Sequence, residues 1–241
     1  MKILIRKTLI IALVAVTFTS CMIDGFNTVN GNRNVITENR NIKEPFEQVE
    51  VGQGIDLYIT QDTKQSLVVS ADENLHKLIK TEITNGVLKI YSKRNIRRAK
   101  SKKIYLSMPV INSIKASSGA DVYTENTINA TTFNATVSSG ADARIEVIAS
   151  TISASASSGA DMILRGKTTN LSVKASSGSS INAYNLKSKE ASAKVSSGAN
   201  IDVYVTESLT ARASSGGDID YKGDPKSTDK KRSSGGSISA H

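Results

Sequence analysis

In 241 residues the chain has no tryptophan, one cysteine, three prolines, four phenylalanines and two histidines. The lone cysteine, Cys21, excludes an internal disulfide, so stability has to come from packing and main-chain hydrogen bonds. With only 5 % aromatic residues, a thick core of large rings is excluded as well. Ala, Val, Ile and Leu must fill the interior, which favours a thin, repetitive architecture over a thick globule. The two histidines, His76 and the terminal His241, leave little material for imidazole catalysis or a histidine metal centre.

Long apolar runs are equally scarce, and the one present is at the start. Lys2, Arg6 and Lys7 precede a mostly apolar stretch from Ile3 to Phe18, followed by Thr19, Ser20 and Cys21. This reads as an export signal over 1–20, too short and wrongly flanked for a permanent span. Cys21 stands where a bacterial lipoprotein carries its acylated first residue, although Phe18 replaces the usual Leu. The alternative is ordinary secretion with a leftover thiol. Lipidation of Cys21 predicts a membrane-anchored protein in the periplasm or at the outer membrane or cell surface, with a tether over 21–30.

Acidic residues are outnumbered, giving a net charge of +9, of which three charges belong to the leader and six remain on 21–241. Much of the excess sits in two runs: KRNIRRAKSKK over 93–103, with seven cations and no acid, and KSTDKKR over 226–232, with four cations and one acid. For an exported chain the anionic partners to expect are lipopolysaccharide, polysaccharide or a membrane surface, not nucleic acid. The plainer reading is a solvated loop that keeps a sheet edge soluble.

What the chain has in abundance is one phrase. KASSGAD at 115–121 returns as VSSGAD, ASSGAD, ASSGSS, VSSGAN, ASSGGD and RSSGGS. The glycines are Gly119, Gly140, Gly159, Gly178, Gly198, Gly216 and Gly235, spaced 21, 19, 19, 20, 18 and 19 residues apart. Near-constant spacing of this size means stacked, equivalent coils. Three residues after each glycine stand Val122, Ala143, Met162, Ile181, Ile201, Ile219 and Ile238; three and five before it stand mostly Ala, Val and Ile. Apolar and polar residues therefore alternate at period two on both sides of the phrase, which makes the flanks strands and SSG the corner between them. The pattern predicts an all-β chain: a right-handed parallel β-helix over 113–241, with a β-rich capping half over 31–112. A positive φ explains the recurring glycine, and a side chain there is expected to obstruct the corner. The serines are expected to satisfy corner backbone groups or bond across coils.

Residues 31–112 are less regular. GIDLY at 54–58 echoes GADVY at 119–123, Asn85-Gly86 reads as a hairpin turn, and 72–80 predicts one or two helical turns capped by Asp72 with Leu75, Leu78 and Ile79 inward. At the far end the inward pattern fails, with Lys230 and Arg232 where Ala or Val stood, as suits a terminal solvated coil or one that docks on another molecule.

The position after each phrase invites a metal. Asp121, Asp142 and Asp161 would stack as a ladder, and carboxylates about 5 Å apart repel by roughly 0.8 kcal/mol in water and about 3 at an effective dielectric of 20. Solvent handles the former without calcium, and Ser180, Asn200 and Ser237 replace Asp elsewhere, so a turn-capping role is favoured and no metal or cofactor is expected.

Several motifs together resemble the head GIN domain family of exported bacterial proteins, catalogued as auto-transporter adhesins: GNRNVI at 31–36 with Arg40, FEQVEV at 46–51 leading into GIDLY, DENL at 72–75, NGVLKI at 85–90, and the SSGAD repeats. The resemblance covers 27–240, implies a two-part β-helical structure, and supplies no catalytic or ligand residues. It implies a non-enzymatic envelope adhesin or binding module for glycan or protein. One alternative is a structural envelope scaffold, in which coils of separate molecules could pair as an oligomer. A third is a polysaccharide-acting β-helix enzyme using the Asp ladder, but no cation recurs beside those acids and the serines lack a paired base.

Overall fold

The computed structural model describes residues 27–42 and 44–241. Residues 1–20, where an export signal is expected, and Cys21 lie outside the described residues. The N-terminal part comprises β1 (Thr28–Asn30), β2 (Val35–Arg40), β3 (Gln48–Val51), β4 (Asp56–Gln61), β5 (Ser66–Asp72), β6 (Ile79–Thr84), β7 (Val87–Ser92), β8 (Asn95–Arg97) and β9 (Lys102–Met108). The repeats form β10 (Ser113–Ser117), β11 (Asp121–Thr124), β12 (Ile128–Ser138), β13 (Asp142–Ser157), β14 (Asp161–Ser176), β15 (Ser180–Val195), β16 (Asn200–Ala213), β17 (Asp218–Lys222), β18 (Ser227–Arg232) and β19 (Ser237–Ala240).

The strands stack in parallel at the repeat register: Asp121 lies opposite Asp142, Asp142 opposite Asp161, and Ala135 opposite Ala154, which in turn faces Val173. This is the β-solenoid that the spacing predicts. Within each coil the alternation breaks once more, at Ser150–Thr151 and Thr169–Asn170, where two successive side chains face outward. The break bends each long strand into a segment after the glycine corner and a segment before the next one. The aliphatic columns of both segments form one interior, with Val122, Ile181, Ile201 and Ile219 fully buried. Each such Val or Ile contributes about 1.5–3 kcal/mol by leaving water. Alanine columns hold the two walls close together.

The corners are tighter than a single permissive glycine would make them. Ser118 (φ 54°) and Gly119 (φ 69°) are both left-handed, and the Ser-Gly pair repeats this conformation through Ser234 and Gly235. Positive φ at both central residues, with Ala120 N–H donating to the Ser117 carbonyl, defines a type I′ turn. A left-handed serine costs about 1–2 kcal/mol. In return the corner peptides line up along the stack: Gly54, Gly119, Gly140 and each later corner N–H through Gly216 donates to the carbonyl of the left-handed serine in the next coil, at 3.0–3.1 Å. The main chain, not the serine hydroxyls, carries this corner ladder. Nor would a side chain at Gly159 obstruct anything, since a Cβ there meets no atom within 4 Å. The penalty at the corner is conformational only.

The echo at GIDLY is structural. Gln53 and Gly54 repeat the left-handed pair, and Asp56, Leu57 and Tyr58 lie opposite Asp121, Val122 and Tyr123. Strands β3 and β4 are therefore a coil already, continued outward by parallel β7 and β9. Antiparallel strands then end the winding: β5 beside β9, β2 beside β5, and β6 beside β7 through the Asn85–Gly86 turn. Thr28–Asn30, inside the stretch expected to be tether, pairs with β8. The expected helix shrinks to one 3-10 turn, Glu73–Leu75; Leu75 and Ile79 are buried, Leu78 only partly, and the Asp72 side chain caps nothing there. At the other end β18 is exposed throughout, with Lys230 and Arg232 opposite Ala211 and Ala213. Among the described residues no helix is long and apolar enough to cross a membrane.

Candidate ligand-binding faces

Because alternate residues of each strand point outward, a side chain in one coil is repeated by its counterpart a rung away, about 4.8 Å along the stack. The outer faces are therefore columns.

The segment after the corner carries several, of which two hold most of its acids and stacked rings. The first runs Lys103, Asp56, Asp121, Asp142, Asp161, Ser180, Asn200, Asp218 and Ser237. Two residues on, the second begins Tyr105, Tyr58, Tyr123 and Arg144. The three rings stack, with centroids 5.1 and 5.2 Å apart, and Arg144 extends the stack 5.8 Å from the Tyr123 ring. Lys103 sits over Tyr58 at 5.4 Å, so the basic run 93–103 is partly spent on this face's own rings and acids. Farther along, the same face presents Tyr184 and Tyr204 with Lys222 over both rings, at 4.8 and 5.7 Å, and Asp202 and Asp220 alongside. The chain's other histidine, His241, edges Tyr184 and lies 3.7 Å from Asp220.

Crowding shows in the titration of these groups. Burial pushes the Asp121 carboxyl up, with Asp56 and Asp142 adding to it and Arg144 and Lys102 opposing. Burial also raises Asp56, against the pull of Lys102 and Lys103. Burial, then Asp202 and Asp220, push the Tyr184 hydroxyl up to about 12. A raised carboxyl disfavours the folded state only once ionised: the penalty is complete above the folded pKa and gone below the unfolded value of about 3.9. Asn200 already occupies this column, so Asp121→Asn is expected to raise the melting temperature at pH 7 and to leave it unchanged at pH 3.5. Thermal scans across that range check the sign. The ladder of Asp121, Asp142 and Asp161 is linear, not convergent; among the described residues no three His, Cys, Asp or Glu side chains gather closely enough to hold a metal ion.

The segment before the corner is different. Four residues ahead of each glycine the outer column reads Lys115, Thr136, Ser155, Lys174, Lys194, Arg212 and Lys231. Lys115 is paired with Glu50 and Arg212 with Asp229, whose carboxyl Arg212 holds low, first through the hydrogen bond between them. This basic column was legible at a fixed offset from the repeated glycine, but inspection of contiguous runs finds only its last member, Lys231. A third surface lies at the bend, where Ile148, 45 % exposed, and Ala149 share a groove of about 640 Å³ with Lys167, Lys187 and Lys189.

His76 belongs to none of these faces. It is buried, with Nδ1 2.9 Å from a Glu38 carboxylate oxygen and Nε2 within 3.2 Å of the Ile36 and Ala71 carbonyls. That is a structural role, tying β2 to the turn after β5.

A family model described as "Putative auto-transporter adhesin, head GIN domain" matches residues 45–225. The chain belongs to the head GIN domain family. Among solved structures, a putative adhesin of Bacteroides fragilis is similar over 88 % of this chain and 100 % of its own, with TM-score 0.82 at 22 % identity. A putative adhesin of Parabacteroides merdae (TM-score 0.72, 19 % identity, 89 % and 99 % covered) and a putative lipid binding protein of Parabacteroides distasonis (0.70, 20 %, 89 % and 99 %) share the fold. No curated protein matches this head GIN chain.

Proposed function

We propose that this head GIN protein is a non-enzymatic binding module of the bacterial envelope, held to a membrane through lipidated Cys21, that recognises a glycan or a protein with its tyrosine–aspartate face. The supporting observation is where the aromatic residues are. Of seven tyrosines, Tyr58, Tyr105, Tyr123, Tyr184 and Tyr204 stand outside one sheet, while the interior beneath them is mostly aliphatic, with Tyr221 the one tyrosine turned inward at its end. Tyrosine offers large contact area with a polar tip at low entropic cost, and outward-facing, partly exposed rings beside carboxylates suit sugar hydroxyls or a protein surface.

A second reading rests on the bend groove. Ile148 and Ala149 beside three lysines suit an acyl chain with an anionic headgroup, as the name of the Parabacteroides distasonis neighbour suggests.

The test is a glycan array and an envelope pull-down with the wild-type chain and with Tyr58→Ser/Tyr123→Ser. Serine and asparagine already occupy outer positions of this sheet, so the fold is expected to survive. Loss of about tenfold or more in affinity for whatever ligand is found supports the face, as expected for aromatic anchors. Unchanged binding rejects it, and turnover of a polysaccharide substrate rejects the non-enzymatic assignment.

A further inference from the structure

We infer that the outer face before the corner is a second binding site, for a linear acidic polysaccharide carrying carboxylate or sulfate groups. It is distinct from the tyrosine–aspartate face and does not depend on that face having a ligand.

Four successive rungs present Lys174, Lys194, Arg212 and Lys231 in direct lateral register. Lys174, Lys194 and Lys231 are exposed, and among the described residues the only carboxylate bonded to these four side chains is Asp229, on Arg212. Two grooves run along the column and share Lys194: one of about 280 Å³ that includes Lys174, and one of about 560 Å³ that includes Arg212, Lys231 and Arg232. Together they make a trough along the stack, floored by small residues such as Ala175 and Ala213.

Charge spacing identifies the ligand. The cations recur about every 4.8 Å, set by the hydrogen-bonded rise between rungs. That is close to the length of one pyranose ring along an extended chain, so a polymer with an anion on each sugar, or each second sugar, meets the column in phase. Flanking columns are hydroxyl-rich: Ser172, Ser192 and Thr210 on one side, Ser176, Ser196 and Ser214 on the other. Short hydroxyls can exchange hydrogen bonds with sugar hydroxyls without blocking the trough. Along the four rungs from Lys174 to Lys231 neither this column nor its two neighbours carries a tyrosine, so single-stranded nucleic acid would find no ring to stack on. Large apolar side chains are absent too, so nothing there would enter a bilayer.

Thr136 and Ser155 hold the same outer position in earlier coils, which makes Lys174→Ser/Lys194→Ser a substitution the fold already tolerates. Binding is measured by calorimetry at several salt concentrations, using size-defined oligogalacturonates, heparin oligosaccharides and a neutral oligosaccharide of equal length. Wild type is expected to bind at least one anionic series, to tighten with length up to about four charges, and to ignore the neutral one. The uronate and sulfate arms say which anion the trough prefers. In the double variant affinity should fall about tenfold or more, and the slope of log K against log salt should drop by about 2, one for each cation removed. Lys64→Ser/Lys226→Ser removes the same charge elsewhere and is expected to leave both quantities near wild type. Absence of anionic binding at low salt overturns the inference. So does an equal loss in the two double variants, which would mean general attraction to a basic protein. Tyr58→Ser/Tyr123→Ser should leave polyanion binding intact, so failure of one face is distinguishable from failure of the other.

Discussion

Replacing Gly166 by alanine should destabilise the protein by about 4 kcal/mol, lowering the melting temperature by roughly 10 °C, whereas Gly159→Ala should cost only about 1 kcal/mol. Gly166 is not part of the repeated phrase. It occupies the inward column between Val147 and Leu186 with φ 120°, and a Cβ there would overlap the Val147 carbonyl of the preceding coil. Because that obstacle is main chain locked in a parallel ladder, it cannot turn aside as a side chain would. Nearby, the pairing between β14 and β15 shifts register between Ile163 and Arg165, in the step where the glycine spacing lengthens to 20 residues. At Gly159 the φ of 67° is the whole difficulty, and the added methyl faces open space. Differential scanning calorimetry of the two variants checks the ranking; equal shifts would mean that the coil backbone yields where the structure shows it fixed.

Asp72→Ala should be of similar size, about 3–5 kcal/mol, for an electrostatic reason. The side chain is buried, and its two oxygens accept the backbone N–H groups of Arg33, Lys100 and Ser101 at 2.8–3.2 Å. Gly31 lies so close that a Cβ would overlap the carboxylate. Desolvation pushes the carboxyl up, but the three N–H bonds with the Arg33 charge outweigh it, and the net shift is downward. With a lowered folded pKa, the stabilisation is complete above the ordinary aspartate value of about 3.9 and is lost as pH falls through the folded one. Truncation leaves the three part-buried N–H donors without this acceptor and frees two loops, residues 31–34 and 99–101, from the carboxylate. Chemical denaturation of Asp72→Ala and Asp72→Asn at pH 7 measures the loss. The gap between wild type and Asp72→Asn should begin to narrow only below about pH 4. A loss under 1 kcal/mol for Asp72→Ala would show that water replaces the carboxylate there.

These two residues mark the boundary of what pattern reading recovers. Asp72 precedes an apolar-periodic stretch and so reads as a helix cap; in the structure the helix is a single 3-10 turn and the carboxylate serves loops 39 and 28 residues away in sequence. No local signal distinguishes a cap from a long-range acceptor, since both require the same short acidic side chain. Serine at the corners is a similar case. Type I′ turns favour Asn-Gly, as at Asn85-Gly86, and Ser-Gly carries no comparable mark. It is tolerated because the same corner bond is made again in coil after coil.

The period of nineteen, with apolar residues alternating on both sides of each glycine, by itself determined the all-β solenoid, its coil-to-coil register and its inward columns, because every coil solves the same burial problem with the same spacing. It also contained the outer columns, Asp after the glycine and Lys or Arg before it, since lateral neighbours in a parallel stack are simply residues one period apart. Only the tertiary structure decided what lies outside that repetition: the antiparallel strands that end the winding, the buried carboxylate that binds them, the glycine that lets two coils touch, and which rings meet across β9, β4 and β11. Those contacts join segments with no shared period, where closeness is set by how the chain returns on itself and not by any spacing along it.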